Sequence, residues 1–226
     1  MFPESGAEGT PPDSSHAPAR RAVCGNCLRP RRACICGCVF RAGHAAQVLI
    51  LQHPLEVHQA KGSARLLHLC LPHSRLETGS AFDAGRLDAL LHGPWTEDRA
   101  GAAACARQPV LLYPSGPGDA GAPFDASLAP HRLRLVILDG TWRKSRRMLH
   151  ENPQLAALPR LSLDETASRY RIRKARRAGQ LSTFEAASHA LAQLEGNAFP
   201  LDRMLAAFDA FVASQQAFLP DRDAAP

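Results

Sequence analysis

Three short aliphatic runs constrain this chain most: QVLILQ at 47–52, PVLLY at 109–113 and LRLVIL at 133–138. Each is only five or six residues long and is bounded by turn-forming residues. Such runs fit strands buried on both faces, as in a parallel sheet covered by helices. A fourth, weaker strand is expected at 160–163. Helical patterns fill the intervals. Residues 61–71 place Ala64, Leu67, His68 and Leu71 on one face. Phe184, Ala187, Leu191 and Leu194 repeat that spacing, and residues 202–218 carry Leu205, Phe208, Phe211 and Val212 on one stripe. Strand–helix alternation predicts an α/β fold with its chemistry at the carboxyl ends of the strands. The stretch 92–129 outside PVLLY is rich in Gly, Pro and Ala and reads as loop.

The ends read differently. Residues 1–20 are rich in Pro, Gly, Ala and Ser, without the apolar core of a secretory signal, and read as a disordered lead. Residues 220–226 read as a tail. No apolar run approaches the ~18 residues that span a bilayer. The cytoplasm is the expected compartment.

Five of the seven cysteines fall between 24 and 38. Clustered cysteines in such a chain point to metal rather than to disulfides. Cys24-x2-Cys27 places two thiolates on one turn, and Cys34-x-Cys36 supplies a second pair. Four thiolates suit a structural zinc ion and leave no open position for catalysis. Arg29, Arg31 and Arg32 offset the site's negative charge, and Cys38 is a spare or alternative ligand. Residues 21–42 are therefore expected to form a small zinc knuckle, with 43–219 as the main domain.

Charge is uneven. The net charge is +6, yet residues 131–177 hold thirteen Lys/Arg against four acids, so the remainder is slightly acidic. One basic segment on an otherwise acidic chain points to a polyanion, nucleic acid above all. Within it, the third aliphatic run ends in Asp139-Gly140-Thr141-Trp142, and a basic helix follows with Arg143, Lys144, Arg146 and Arg147. A carboxylate at a strand's end sits where α/β folds place function. Gly140 lets backbone approach a ligand, and Trp142 suits stacking or packing. The alternating Tyr170-Arg171-Ile172-Arg173-Lys174 suits phosphate contact. Ser182 or Thr183, with Glu185 close behind, opens a capped helix whose amides suit a carboxylate. His53, after the first strand, is a catalytic candidate or a structural hydrogen-bonding group.

Taken in order, the cysteine knuckle, QHPLE, KGSARLL, LLYPS, LDGTW, YRIRK and LSTFEA resemble the DTW-domain family of RNA aminocarboxypropyltransferases across residues 24–194. Asp139, Thr141 and Trp142 match its name-giving Asp-x-Thr-Trp. The family is related to SPOUT-type RNA methyltransferases. The resemblance implies a SPOUT-like parallel sheet with helices on both faces and a C-terminal trefoil knot. It also implies an S-adenosylmethionine pocket built from three loops: Tyr113, Pro114 and Ser115; Leu138, Asp139, Gly140 and Thr141; and Leu181, Ser182, Thr183 and Glu185. Asp139, Thr141 and Trp142 become candidate catalytic residues, with Asp139 either a base for uridine N3 or a grip on the transferred amino group. Arg143, Lys144, Arg169, Arg171, Arg173 and Lys174 become candidate tRNA contacts. Both monomer and dimer fit this branch. Two rivals remain on the sequence alone: an S-adenosylmethionine-dependent RNA methyltransferase and a non-catalytic zinc-knuckle RNA-binding protein.

Overall fold

A computed structural model describes residues 22–95, 107–114, 124–163 and 181–216. Its centre is a five-stranded, wholly parallel sheet in the order β2-β1-β4-β3-β5. The strands are β1 (Gln47–Gln52), β2 (Ser74–Thr78), β3 (Gln108–Leu112), β4 (Leu133–Asp139) and β5 (Arg160–Leu161). The three aliphatic runs become β1, β3 and β4, and every residue of β1 and β4 is buried. Burial on both faces is why these runs lack polar alternation. β2 escapes a pattern search because it is an edge strand of sequence SRLET, with only Ser74 buried.

Alternation along the strands divides the core into two layers. Val48, Ile50, Leu135 and Ile137 face α1 (Ala64–Cys70), α5 (Thr183–Glu195) and α6 (Leu201–Gln216). Leu49, Leu51, Val136 and Leu138 face α2 (Ala84–His92), α3 (Trp142–Glu151) and the short α4 (Pro153–Ala156). Helix α1 is shorter than 61–71 because a turn occupies 58–62, where Gly62 N–H donates to the Gln59 carbonyl at 2.9 Å. Helix α2 was not expected. Its signal was present in the Asp83 cap, which accepts from Arg86 N–H at 2.9 Å, and in Leu87, Leu90 and Leu91. The expected helix at 202–218 is α6 as far as residue 216. Among the described residues, no helix is long and apolar enough to cross a membrane.

The cysteine-rich segment is stitched to this core. Cys27, Ile35 and Ala42 are buried in the layer that α1, α5 and α6 form. The Arg29 guanidinium donates to the Ala60 and Gly62 carbonyls, both at 2.8 Å, and lies over the Phe211 ring of α6.

His44 joins the segment to β1. Its Nδ1–H donates to the Ala46 carbonyl at 2.7 Å, and its Nε2 accepts from His73 N–H at 3.3 Å. That pairing requires the neutral ring. Burial pushes His44 down to about 4, against the pull of the Ala46 carbonyl, and the nearby His73 ring adds to the drop. Unfolded, the ring titrates near ~6.5. Stability from this site is therefore complete above that pH and declines as pH falls toward 4. Urea unfolding should show a loss of about 2 kcal/mol between pH 7 and pH 5. His44→Asn should flatten that part of the curve. An unchanged curve in the variant would assign the pH dependence elsewhere.

Candidate functional site

A cavity of about 700 Å³ opens at the carboxyl ends of β3, β4 and β5. That size suits a nucleotide-sized ligand. Three chain segments wall it: Tyr113 and Pro114 after β3, Leu138 to Arg143 around the end of β4, and Leu181, Thr183 and Ala186 at the start of α5. Leu161, Ser162 and Leu163, which follow the β5 ladder, complete the wall and were not expected there. Polar and aromatic groups gather at its rim. Trp142 is 48% exposed, and its ring meets Tyr113 edge-on at 5.5 Å. The Arg160 guanidinium lies over Tyr113 at 5.2 Å. Edge-to-face and cation–π geometry hold these rings upright at the entrance.

The expected cofactor residues divide by position. Tyr113, Pro114, Leu138, Gly140, Thr141, Leu181 and Thr183 line the cavity. Ser115 lies outside the described residues. Ser182 and Glu185 are occupied in a capping box: Ser182 Oγ accepts from Glu185 N–H, and the Glu185 carboxylate accepts from Ser182 N–H. Both are spent on starting α5. Thr141 caps α3, its hydroxyl accepting from Lys144 N–H at 3.4 Å.

Asp139 is buried, 6% exposed, and turned to the α5 side of the sheet. Its Oδ2 accepts from Gln52 Nε2 at 2.9 Å, and the Thr183 hydroxyl donates to the same carboxylate. Burial raises its pKa above the usual carboxylate range, although Thr183 and Gln52 pull it down; Glu56 raises it and Lys144 lowers it. Gln52 was expected only as part of QHPLE. The signal that could have singled it out is a polar residue closing a wholly buried strand.

Gly140 has a packing reason for its missing side chain. A Cβ there would come within 3.2 Å of Lys144 Cβ and 3.6 Å of His53 Cβ. His53 accepts from Leu55 N–H at 3.2 Å and caps a short turn, which is a structural use of the ring. Lys144 pairs with Glu56 at 2.6 Å, and both are largely covered. Arg143 stays at the cavity wall. Arg169, Arg171, Arg173 and Lys174 lie outside the described residues.

The four cysteines Cys24, Cys27, Cys34 and Cys36 converge, with all four sulfurs within 4.8 Å of one another. Cys24–Cys36 and Cys27–Cys34 are each 3.7 Å apart. A tetrahedral ion with bonds of about 2.3 Å to sulfur has sulfur–sulfur edges of about 3.8 Å, so this donor set fits zinc. The Cys27 and Asn26 amides donate to Cys24 and lower it to about 6, which favours the thiolate. Leu28, in the left-handed region at φ 58°, closes the turn. Cys38 stands outside the group of four.

An open parallel sheet with an aromatic-rimmed cavity at its carboxyl edge is a ligand-binding α/β architecture. The DTW domain model matches residues 21–216, and the chain belongs to the DTW-domain family. It is 32% identical over 191 residues to a Drosophila melanogaster protein named tRNA-uridine aminocarboxypropyltransferase 2; the match covers 80% of this chain and 70% of the fly protein. A Macaca fascicularis protein of the same name is 26% identical over 204 residues, 87% of this chain and 64% of its own length. An Arabidopsis thaliana tRNA-uridine aminocarboxypropyltransferase A is 26% identical over 222 residues, 85% of this chain and 80% of its own. No solved structure matches the chain.

Proposed function

We propose that this protein is a tRNA-uridine aminocarboxypropyltransferase that moves the 3-amino-3-carboxypropyl group of S-adenosylmethionine to N3 of a tRNA uridine. The observation that carries the reading is the cavity. The three segments that the family resemblance nominates meet around one space, 700 Å³ in volume, in a chain whose relatives bear that name.

In this reaction uridine N3 attacks the γ-carbon of the methionine moiety. The N3–carbon bond forms as the carbon–sulfur bond breaks. Its electron pair neutralises the sulfonium, methylthioadenosine leaves, and the N3 proton is released. The sulfonium already activates the carbon, so the protein chiefly positions the reactants. Tyr113 and Trp142 supply flat surfaces for adenine or uracil. Arg143 and, in this reading, Arg169, Arg171, Arg173 and Lys174 meet tRNA phosphates. Lys144 contributes less, because Glu56 already neutralises it. The burial of Asp139 and its two donors favour a positioning role over that of N3 base.

The same reading takes residues 21–42 as a zinc-holding unit in which Cys24, Cys27, Cys34 and Cys36 bind the ion, and 43–219 as the catalytic unit. It takes the fold as SPOUT-like with a C-terminal trefoil knot. The strand order β2-β1-β4-β3-β5 and the return of α5 against β4 support that topology. It places the protein with its tRNA in the cytoplasm.

The test is the by-product. Purified protein, unmodified tRNA and S-adenosylmethionine should yield methylthioadenosine together with a nucleoside carrying the aminocarboxypropyl group. S-adenosylhomocysteine in its place would make the protein a methyltransferase. Binding of tRNA without any binding of S-adenosylmethionine would leave a zinc-knuckle RNA-binding protein.

A further inference from the structure

At the carboxyl end of the central strands, Gln52 of β1 and Asp139 of β4 occupy one rung of the parallel ladder. Gln52 Nε2 donates to Asp139 Oδ2 at 2.9 Å, and the Thr183 hydroxyl donates to the same buried carboxylate. Thr183 is the first residue of α5 and lines the cavity. The far end of α5 is tied separately, through the Glu195 carboxylate, which accepts from Ala45 and Ala46 N–H at 2.8 and 3.0 Å. The near end is tied by Asp139.

We infer that Gln52, Asp139 and Thr183 form a clasp that fixes the Thr183 oxygen as a hydrogen-bond acceptor for the ammonium group of the bound co-substrate, with Gln52 and Asp139 as positioning residues. The inference rests on the cavity being the S-adenosylmethionine site. A hydroxyl has one proton and two lone pairs. The Thr183 proton is committed to Asp139, so toward the cavity the oxygen has only lone pairs to give. A ligand N–H is its natural partner, and a cationic one makes the stronger bond. The carboxylate behind it acts through Thr183 rather than by contact. Gln52 holds that carboxylate in register from the neighbouring strand. The one part of S-adenosylmethionine that methylthioadenosine lacks is the aminocarboxypropyl arm, and that arm carries the ammonium. The clasp therefore discriminates co-substrate from by-product, which helps methylthioadenosine to leave.

Calorimetry with the whole chain and both ligands tests this. Thr183→Val keeps the shape and removes the hydroxyl. It should weaken S-adenosylmethionine about tenfold, a typical loss for a charge-assisted hydrogen bond, and leave methylthioadenosine affinity unchanged. Thr183→Ser should restore most of the loss. Should Thr183→Val fail to fold, Gln52→Met asks the same question from the opposite side of the carboxylate, with about a threefold loss expected for S-adenosylmethionine alone. Equal loss of both ligands would reduce Thr183 to a wall residue and overturn the acceptor role. Unchanged affinity for both would overturn the clasp. If the unaltered protein binds neither ligand, the cavity is not the S-adenosylmethionine site, and the clasp falls with that reading.

Discussion

Cys24→Ser is expected to take bound zinc from one ion per chain to near none and to cost most of the protein's solubility. A serine hydroxyl does not ionise at neutral pH, so the tetrahedron loses a thiolate and the ion a quarter of its ligands. The consequence is not confined to the turn. Cys27 and Ile35 are buried in the same layer as α1 and α6, and Arg29 reaches from the turn to the Ala60 and Gly62 carbonyls. Structural zinc contributes ~10–16 kcal/mol of apparent binding free energy in small domains, and that energy is folding energy. A fall in melting temperature of roughly 10 °C or more should accompany the lost metal, at about 2–4 °C per kcal/mol for a chain of this size. Cys38→Ser is the control. Cys38 lies outside the convergent four, so its replacement should leave metal content intact. Metal analysis beside thermal unfolding reads both. A Cys24→Ser protein that keeps its zinc, or one that melts at the parent temperature, would refute the structural role.

The second large effect is expected at the opposite end of the sheet. Arg134 is 1% exposed. Its guanidinium donates twice to Gln47 Oε1, at 2.6 and 3.0 Å, and once each to the Leu90 and Gly93 carbonyls at 2.7 and 2.9 Å. It also lies over the Trp95 ring at 4.5 Å, with Arg75 over the same ring at 4.7 Å. Arg134→Met keeps much of the stem and deletes every one of these donors. Buried carbonyls deprived of a charged donor make such changes cost about 3–5 kcal/mol. The melting temperature should fall by roughly 10 °C. Ligand affinity should not change in the folded fraction, because Arg134 lies about 16 Å along β4 from Asp139 and the cavity, at ~3.3 Å per residue. A variant that melts normally would show that the guanidinium is solvated rather than structural. Weakened S-adenosylmethionine binding at full stability would place Arg134 in the site.

Arg134 also shows where charge counting misleads. The basic surplus between 131 and 177 suggested a single polyanion face. In the folded chain Arg134 is an internal hydrogen-bond hub, Lys144 is neutralised by Glu56, and Arg147 pairs with Glu151 at 2.6 Å one helical turn on. Arg160 lies over an aromatic ring at the cavity. The segment remains basic, but fewer of its cations face outward than a tally implies. Gly140 teaches a similar lesson. Its lack of a side chain was read as room for a ligand, whereas the atoms that a Cβ would meet belong to Lys144 and His53.

Much of this protein could be read locally. Unbroken aliphatic runs specify strands buried on both sides, because only there does a strand tolerate no polar face. Four cysteines at short spacing specify a metal turn, because each pair is close in sequence and therefore close in space. Ser182 and Glu185 specify a helix start, because a capping box closes within four residues. What the chain does not reveal is which polar side chains meet across the sheet. Gln47 finds Arg134 and Gln52 finds Asp139, each across 87 residues. Both pairs exist because β4 inserts beside β1 in one register, placing a polar rung at either end of two apolar strands. Periodicity determines which residues are buried. Only strand order and register decide their partners, and here the partners turn Asp139 from an apparent catalytic base into the back of the pocket wall.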